Sequence, residues 1–345
     1  MLQRTQSKKP GTALVAGGAG FVGSHLCDAL LERGHRVICV DSYLTGSEAN
    51  IRPLMNHPDF AMIEKDICEK FNVDEPLDHV YNLACAASPP QYQADPVHTM
   101  MTCVVGTANL LALAEEHAAC FLQASTSEVY GDPEEHPQRE AYRGNVNCTG
   151  PRACYDEGKR AAEALCFDLL RAGRVDARVA RIFNTYGPRM QPNDGRIVSN
   201  LIVQALSGKS LTIYGTGEQT RSFCFVNDLV DGLIALMMVK PKPDAPVNLG
   251  NPGEFTINEL ARMVQEMVPS SSGLVQEPLP MDDPQRRRPD ISRAKVLLGW
   301  EPAVPLKDGL RQTVDWFAAN LGQAEKSQTF NASTRGEAAE LRIGV

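Results

Sequence analysis

From Ala13 to about Ile182 the chain alternates short apolar runs with longer amphipathic stretches. The runs at 13–16, 36–40, 60–63, 79–83, 120–124 and 178–182 are too short for helices and apolar almost throughout, as strands buried on both faces are. Between them, segments such as Ser24 to Leu31 carry apolar residues at helical spacing. Strands alternating with helices predict an α/β fold, a doubly wound parallel sheet covered on both faces. After Asn184 the texture changes to Gly- and Pro-rich loops, a helix near 197–207 and a strand from Leu211 to Tyr214. Pro246 to Gly250 reads as one more strand returning to the main sheet, which makes the smaller C-terminal lobe discontinuous. The expected layout is a flexible N-terminus over 1–11, a nucleotide-binding domain over 12–183 with its returning strand near 246–250, a lobe for the substrate mainly over 184–320, and a polar, disordered tail over 321–345.

Two long helices, near 97–117 and 153–171, carry apolar residues on more than one face. A helix of that kind packs against a partner as well as its own sheet, and the pair is read as a homodimer interface.

The first strand runs into Gly17-Gly18-Ala19-Gly20-Phe21-Val22-Gly23 and then a helix. Glycines at that junction let backbone approach a pyrophosphate at a helix N-terminus with no Cβ in the way. The second strand ends in Asp41, about twenty residues on, where an acid binds a ribose diol and repels a 2′-phosphate. Strand, turn, helix, strand and acid in that order identify a Rossmann-type site that takes NAD rather than NADP.

Tyr155 and Lys159 lie four residues apart, on one helical face, downstream of Ser125-Thr126-Ser127-Glu128. An ammonium beside a phenol lowers its pKa, so Tyr155 is expected to take a proton from a sugar hydroxyl near neutral pH.

With 345 residues, 43% of them hydrophobic, the chain can bury a large core as one domain with a smaller lobe, or as two. A net charge of −8 offers no field for nucleic acid or an anionic membrane. No apolar run reaches the ~18 to 20 residues of a membrane span. The ten cysteines include no C-x-x-C pair and read as buried thiols of a reducing compartment, so a cytoplasmic location is expected. The seven histidines form no familiar metal-ligand cluster, and no metal is expected.

The strings Ser125 to Pro133, Gly150 to Arg160, Ala180 to Met190, Asn193 to Asn200 and Asp282 to Asp290 resemble the extended short-chain dehydrogenase/reductase family and, within it, its UDP-glucuronate decarboxylase branch, over roughly 12–318. The resemblance implies that Tyr155 deprotonates the sugar 4-hydroxyl of UDP-glucuronate, that Thr126 hydrogen-bonds the same hydroxyl, and that Lys159 holds the nicotinamide ribose and tunes the tyrosine. It assigns Glu128 and Arg221 to the carboxylate and the C5 proton, leaving open which of them donates it. Ser127 stands where related 4,6-dehydratases carry an acid, and a neutral group suits a substrate that already bears a carboxylate. On the cofactor side it implies Gly17, Gly20, Phe21, Val22, Gly23, Asp41, Ser42, Tyr43, Thr45, Gly46, Asp66, Ile67, Leu83, Ala84, Cys85, Thr102, Tyr155, Lys159, Thr185 and Arg196. On the substrate side it implies Tyr92, Asn184, Arg189, Val198, Tyr214, Arg221 and Arg288, the last as a clamp on the pyrophosphate.

The chain departs from the family pattern at Ala16, which replaces a Thr; at Met101, where close relatives have a Lys; at Cys103, which replaces an Asn; and at Cys85-Ala86, which replaces a Ser-Pro pair. These changes bear on affinity and substrate choice more than on chemistry, since Thr126, Tyr155 and Lys159 are intact. Two alternatives stay open: another nucleotide-sugar enzyme of the same fold, such as a 4-epimerase or an oxidative decarboxylase, and a weakly active UDP-sugar-binding subunit.

Overall fold

A central sheet organises the computed structural model, which describes residues 10–269, 272–278 and 286–321. The expectations for a flexible N-terminus over 1–11 and a disordered tail over 321–345 lie outside the described residues except at 10, 11 and 321, and residue 321 is helical. Six strands follow the apolar runs: β1 Thr12–Ala16, β2 Arg36–Asp41, β3 Phe60–Glu64, β4 His79–Asn82, β5 Cys120–Thr126 and β6 Asp176–Ile182. The returning strand is Val247–Leu249, which pairs in parallel with β6. The 7-stranded order is Val247–Leu249, β6, β5, β4, β1, β2, β3, and every pairing is parallel.

Alternation along each strand explains the continuous apolar runs. In β1, Ala13 and Val15 face one core cluster while Leu14 and Ala16 face the other. Val37 and Cys39 against Ile38 and Val40 do the same in β2, so both faces are buried. The first cluster extends from the sheet through Leu201, Ile202, Leu211 and Leu260, so the C-terminal lobe shares its core with the sheet.

In that lobe the strand Leu211–Tyr214 pairs in parallel with Leu274–Glu277. Thr220–Ser222 lies between Glu254–Thr256 and Arg286–Arg287. Thr256 and Glu259 form a reciprocal cap that starts the helix Ile257–Met267.

The helix read near 153–171 is Ala153–Arg171. Its neighbour is less regular than its sequence suggests: Pro96–Met101 and Thr107–Glu116 are α-helical, but Thr102–Gly106 between them is a π-turn. Such turns insert one residue into the helical ladder and re-aim the side chains around it. The whole of Pro96–Glu116 is long and apolar enough, by length and composition, to cross a bilayer, which corrects the expectation that no stretch reaches that size. Half of its most apolar window is buried inside the fold.

The returning strand is tied down by one side chain. Asn248 is fully buried; its Oδ1 accepts from Tyr130 Oη at 2.7 Å, and its Nδ2 donates to the carbonyls of Gln138 and Asp290 at 3.0 and 3.1 Å. Asn248→Ala removes three buried hydrogen bonds, although Tyr130 Oη still accepts from Arg181 and the Gln138 carbonyl from the Asp290 N–H, and is expected to cost about 1–3 kcal/mol of unfolding free energy in urea denaturation. An unchanged midpoint would show that packing alone holds the strand.

Candidate active site

The sheet order reverses between β1 and β4, the place where the loops after neighbouring strands part and leave a crevice. Gly17 follows β1 with φ of +77°, and a Cβ there would lie 2.8 Å from backbone atoms of Leu83 and Ala84, just after β4. At Gly23 a Cβ would lie 2.0 Å from the Gly17 carbonyl oxygen. Only glycine fits either position.

Gly20 caps the helix Phe21–Glu32 with no side-chain hydrogen bond, and the first turn carries no acid. Its leading N–H groups therefore open into the crevice as an anion site. Asp41 closes the far side. Its carboxylate accepts from the backbone N–H of Ala19 at 2.9 Å and of Tyr43 at 2.8 Å. Burial pushes its pKa up, and these backbone donors oppose the shift.

Of the residues expected on the cofactor side, Gly17, Gly20, Phe21, Val22, Gly23, Asp41, Ser42, Thr45, Asp66, Ile67, Leu83, Ala84, Cys85, Thr102 and Arg196 line this cleft. Gly46 packs over Asp41, where a Cβ would come within 2.7 Å of its Oδ1. Thr185 is buried in a short strand and donates its hydroxyl to the Phe183 carbonyl at 2.9 Å, so it serves its own backbone. Arg189, expected near the substrate, lines the cofactor cleft instead and pairs with Asp28 at 2.6 Å. Lys65, Asn50, Gln91, His98 and Gln191 also line it and were not expected. Asn50, Gln91 and His98 come from three separate short helices, Lys65 and Gln191 from loops, and together they carry no motif. Asp66, Cys68 and His98 bring potential ligand atoms within 4.8 Å of one another, a cluster that the spacing of the histidines did not announce. Asp66 Oδ2 and His98 Nε2 already lie 2.7 Å apart.

Thr126 ends β5 and accepts the Glu128 N–H at 3.2 Å, starting the short turn Ser127–Tyr130. Tyr155 stacks on Tyr92 with ring centroids 4.9 Å apart and planes at 4°. Lys159 Nζ donates to the Ala124 carbonyl at 2.9 Å and stands 5.7 Å from the Tyr155 ring centre. Burial holds the Tyr155 phenol well above its ordinary value, reinforced by Cys85, Cys103 and Glu128 and opposed by a hydrogen bond from Thr126. The shift runs opposite to the lowering expected from Lys159, with burial as its main cause.

Glu128 is the most tightly held acid here. Its Oε2 accepts from Arg152 at 2.9 Å, and both of its oxygens accept from Arg287, at 2.6 and 2.9 Å. Burial pushes Glu128 up, but Arg287 and Arg152 together hold its pKa below the ordinary carboxylate range. A carboxylate so paired is a poor proton donor. Arg287 is buried at this contact, whereas Arg288, expected to clamp the ligand, is more exposed and sits 3.4 Å from Glu254. Strand alternation in Arg286–Arg287 separates neighbouring arginines to opposite faces, a signal available once that strand is known. Arg221 is also buried and donates to the Thr220 carbonyl at 2.9 Å. Val198 lies in the core, supporting the lobe, while the Asn184 carbonyl accepts from Cys224 N–H and the Tyr214 carbonyl accepts from Gln219 Nε2.

A model of the NAD dependent epimerase/dehydratase family matches residues 13–250. The chain belongs to that family. UDP-glucuronic acid decarboxylase 1 of Danio rerio is 52% identical to it over 315 residues, 91% of this chain and 74% of that protein. UDP-glucuronic acid decarboxylase 3 of Arabidopsis thaliana is 52% identical over 309 residues, 89% of each chain. Among solved structures, an epimerase from Methanothermobacter thermautotrophicus superposes with a TM-score of 0.85 at 27% identity, covering 92% of this chain and 96% of that one. The UDP-glucuronic acid 4-epimerase of Bacillus cereus, in complex with UDP-glucuronic acid and NAD, superposes with a TM-score of 0.79 at 29% identity, over 88% and 98%. The family's NAD fits this cleft: the uncapped helix end suits its pyrophosphate and Asp41 suits a ribose diol.

Asp156, next to Tyr155, offers a pH test. Burial raises its pKa from 3.8 to about 7, with Glu128 adding to the shift, Arg152 and Arg287 opposing it, and Glu157 adding less. The folded chain keeps a proton that the unfolded chain releases, so stability falls as pH rises from about 4 through about 7. Asp156→Asn is expected to flatten that fall in thermal unfolding curves; parallel profiles for both proteins would refute the assignment.

Proposed function

We propose that the chain decarboxylates UDP-glucuronate to UDP-xylose and carbon dioxide through a UDP-4-keto intermediate. The observation that carries this reading is the 52% identity to a UDP-glucuronic acid decarboxylase across 91% of the chain. The resemblance to a UDP-glucuronic acid 4-epimerase, at 29%, supports the epimerase alternative less well.

The site's chemistry agrees. When bound, NAD supplies a hydride acceptor at C4 and later the hydride donor. Tyr155 accepts the proton of the 4-hydroxyl, and Thr126 hydrogen-bonds the same oxygen. Oxidation at C4 turns the C5 carboxylate into that of a β-keto acid, so carbon dioxide leaves with its electrons drawn into the new carbonyl. Tyr155 and Thr126 then stabilise the charge on that oxygen. Lys159 keeps the local field positive. Glu128, held ionised by Arg152 and Arg287, anchors those guanidinia near the sugar's carboxylate and does not give C5 its proton. Arginine is equally unsuited to that task, since it stays protonated at any working pH, so C5 takes its proton from solvent water. Ser127 places no acid where a dehydratase needs one to expel a hydroxyl.

Purified protein given UDP-glucuronate and catalytic NAD+ is expected to form UDP-xylose and carbon dioxide without accumulating NADH, followed by NMR and absorbance at the NADH band. Sustained NADH with a 4-keto product would favour an oxidative decarboxylase, and a C4 epimer would favour an epimerase. Tyr155→Phe is expected to lower kcat by roughly a hundred- to ten-thousandfold. Near-normal turnover would remove Tyr155 from the chemistry.

The same reading extends to a homodimer in a cytoplasmic, reducing setting. Val97, Met101 and Val105 form an exposed apolar stripe along Pro96–Glu116, beside Cys154 and Glu157 of the helix Ala153–Arg171. Covering that stripe supports dimerisation. Val97→Asp combined with Met101→Asp is expected to give a monomer by light scattering, and an unchanged mass would place the interface elsewhere.

A further inference from the structure

Two of the positions where the chain departs from its family's pattern meet in space. Cys85 leaves β4 in the wall of the cofactor cleft, and Cys103 lies in the π-turn Thr102–Gly106. Their Sγ atoms are 3.4 Å apart. Neither thiol has a part in the reaction derived above.

Both sulfurs are backed by inflexible neighbours. Behind Cys103 runs the catalytic helix: a Cβ at Gly158 would lie 2.9 Å from the Cys103 Cβ and 3.2 Å from its Sγ. Gly158 is the residue before Lys159. Behind Cys85, the Leu83 and Ala84 backbone already touches Gly17. A disulfide needs the sulfurs at about 2.05 Å. Closing the 3.4 Å gap to that length draws the Cys85 segment of the cleft wall and the π-turn, packed against the helix that carries Tyr155 and Lys159, toward each other.

We propose that Cys85 and Cys103 form a reversible disulfide, driven by hydrogen peroxide, that lowers turnover by displacing the cleft wall. The hydrogen bond from Cys85, with Lys159 nearby, pulls the Cys103 pKa down against burial, which favours a thiolate at that position. That thiolate attacks one peroxide oxygen; the O–O bond breaks, and with one proton taken up the products are a sulfenic acid and water. The Cys85 sulfur then attacks the sulfenic sulfur, the S–S bond forms, and the S–O bond breaks to release a second water. Two thiols lose two electrons and two hydrogens, and one peroxide is reduced to two waters. A dithiol reductant reverses the step by exchange.

The loss of turnover rests on the decarboxylase reading, whereas the disulfide and its effect on NAD binding do not. The test treats the full-length reduced protein with hydrogen peroxide and blocks remaining thiols. It then maps non-reduced peptides by mass spectrometry, measures NAD+ affinity by calorimetry, and assays UDP-xylose formation. The expected result is a Cys85–Cys103 linked peptide pair lighter by two hydrogens, weaker NAD+ binding, and a several-fold loss of turnover that dithiothreitol restores. Cys103→Ser is expected to keep its activity and NAD+ affinity through the same treatment, and Cys103→Asn serves if the serine variant fails to fold. The proposal is overturned if no linked pair forms, if the linked protein binds NAD+ and turns over as the reduced one does, or if the Cys103 variants are inactivated in parallel with the parent. If no UDP-xylose forms even in the reduced protein, the peptide map and the calorimetry still decide the disulfide independently.

Discussion

Backbone touches backbone where Gly17 meets Leu83 and Ala84, and the site depends on that contact. It joins the loop after β1 to the loop after β4 across the point where the strand order reverses. The same turn leaves the first N–H groups of Phe21–Glu32 uncapped and pointing into the crevice. An anion site, the cleft wall and Asp41 are thus positioned by a stretch of chain that tolerates no side chain at two of its glycines.

The reaction centre rests on a different kind of constraint, burial of charge. Glu128 would be costly to ionise alone, yet Arg152 and Arg287 hold it as a carboxylate. Arg287 reaches it from the far lobe, so the pairing ties the turn after β5 to the C-terminal segment across the substrate side of the site. Asp156, close to the same arginines but without such pairing, moves the opposite way and keeps its proton. Tyr155, buried against Tyr92, is likewise pushed up, its phenol held well above the ordinary value by burial.

Much of the frame was legible in the chain. The six apolar runs became strands with ends shifted by no more than a residue or two, and the return of Val247–Leu249 to the sheet was readable because a short apolar run sits there between loops. The cleft residues after β1, β2 and β4 were readable for the same reason: strand ends place them. The residues that escaped notice behave differently. Lys65, Gln91 and His98 converge from separate elements, a loop and two short helices, and Arg287 stands beside two other arginines that sequence could not rank. The π-turn was invisible because its residues carry the same helical spacing as their neighbours.

The sequence by itself determined the alternation of strand and helix, the glycine-rich turn, the acid after β2 and the Tyr155–Lys159 pair, because each is set by local periodicity or spacing along one element. Only the tertiary structure decided that Arg287 rather than Arg288 holds Glu128, that Val198 belongs to the core, that Arg189 belongs to the cofactor cleft, and that Cys85 lies against Cys103. These contacts join residues far apart in the chain, and their energies depend on burial and on charges supplied by other elements. No local pattern encodes either.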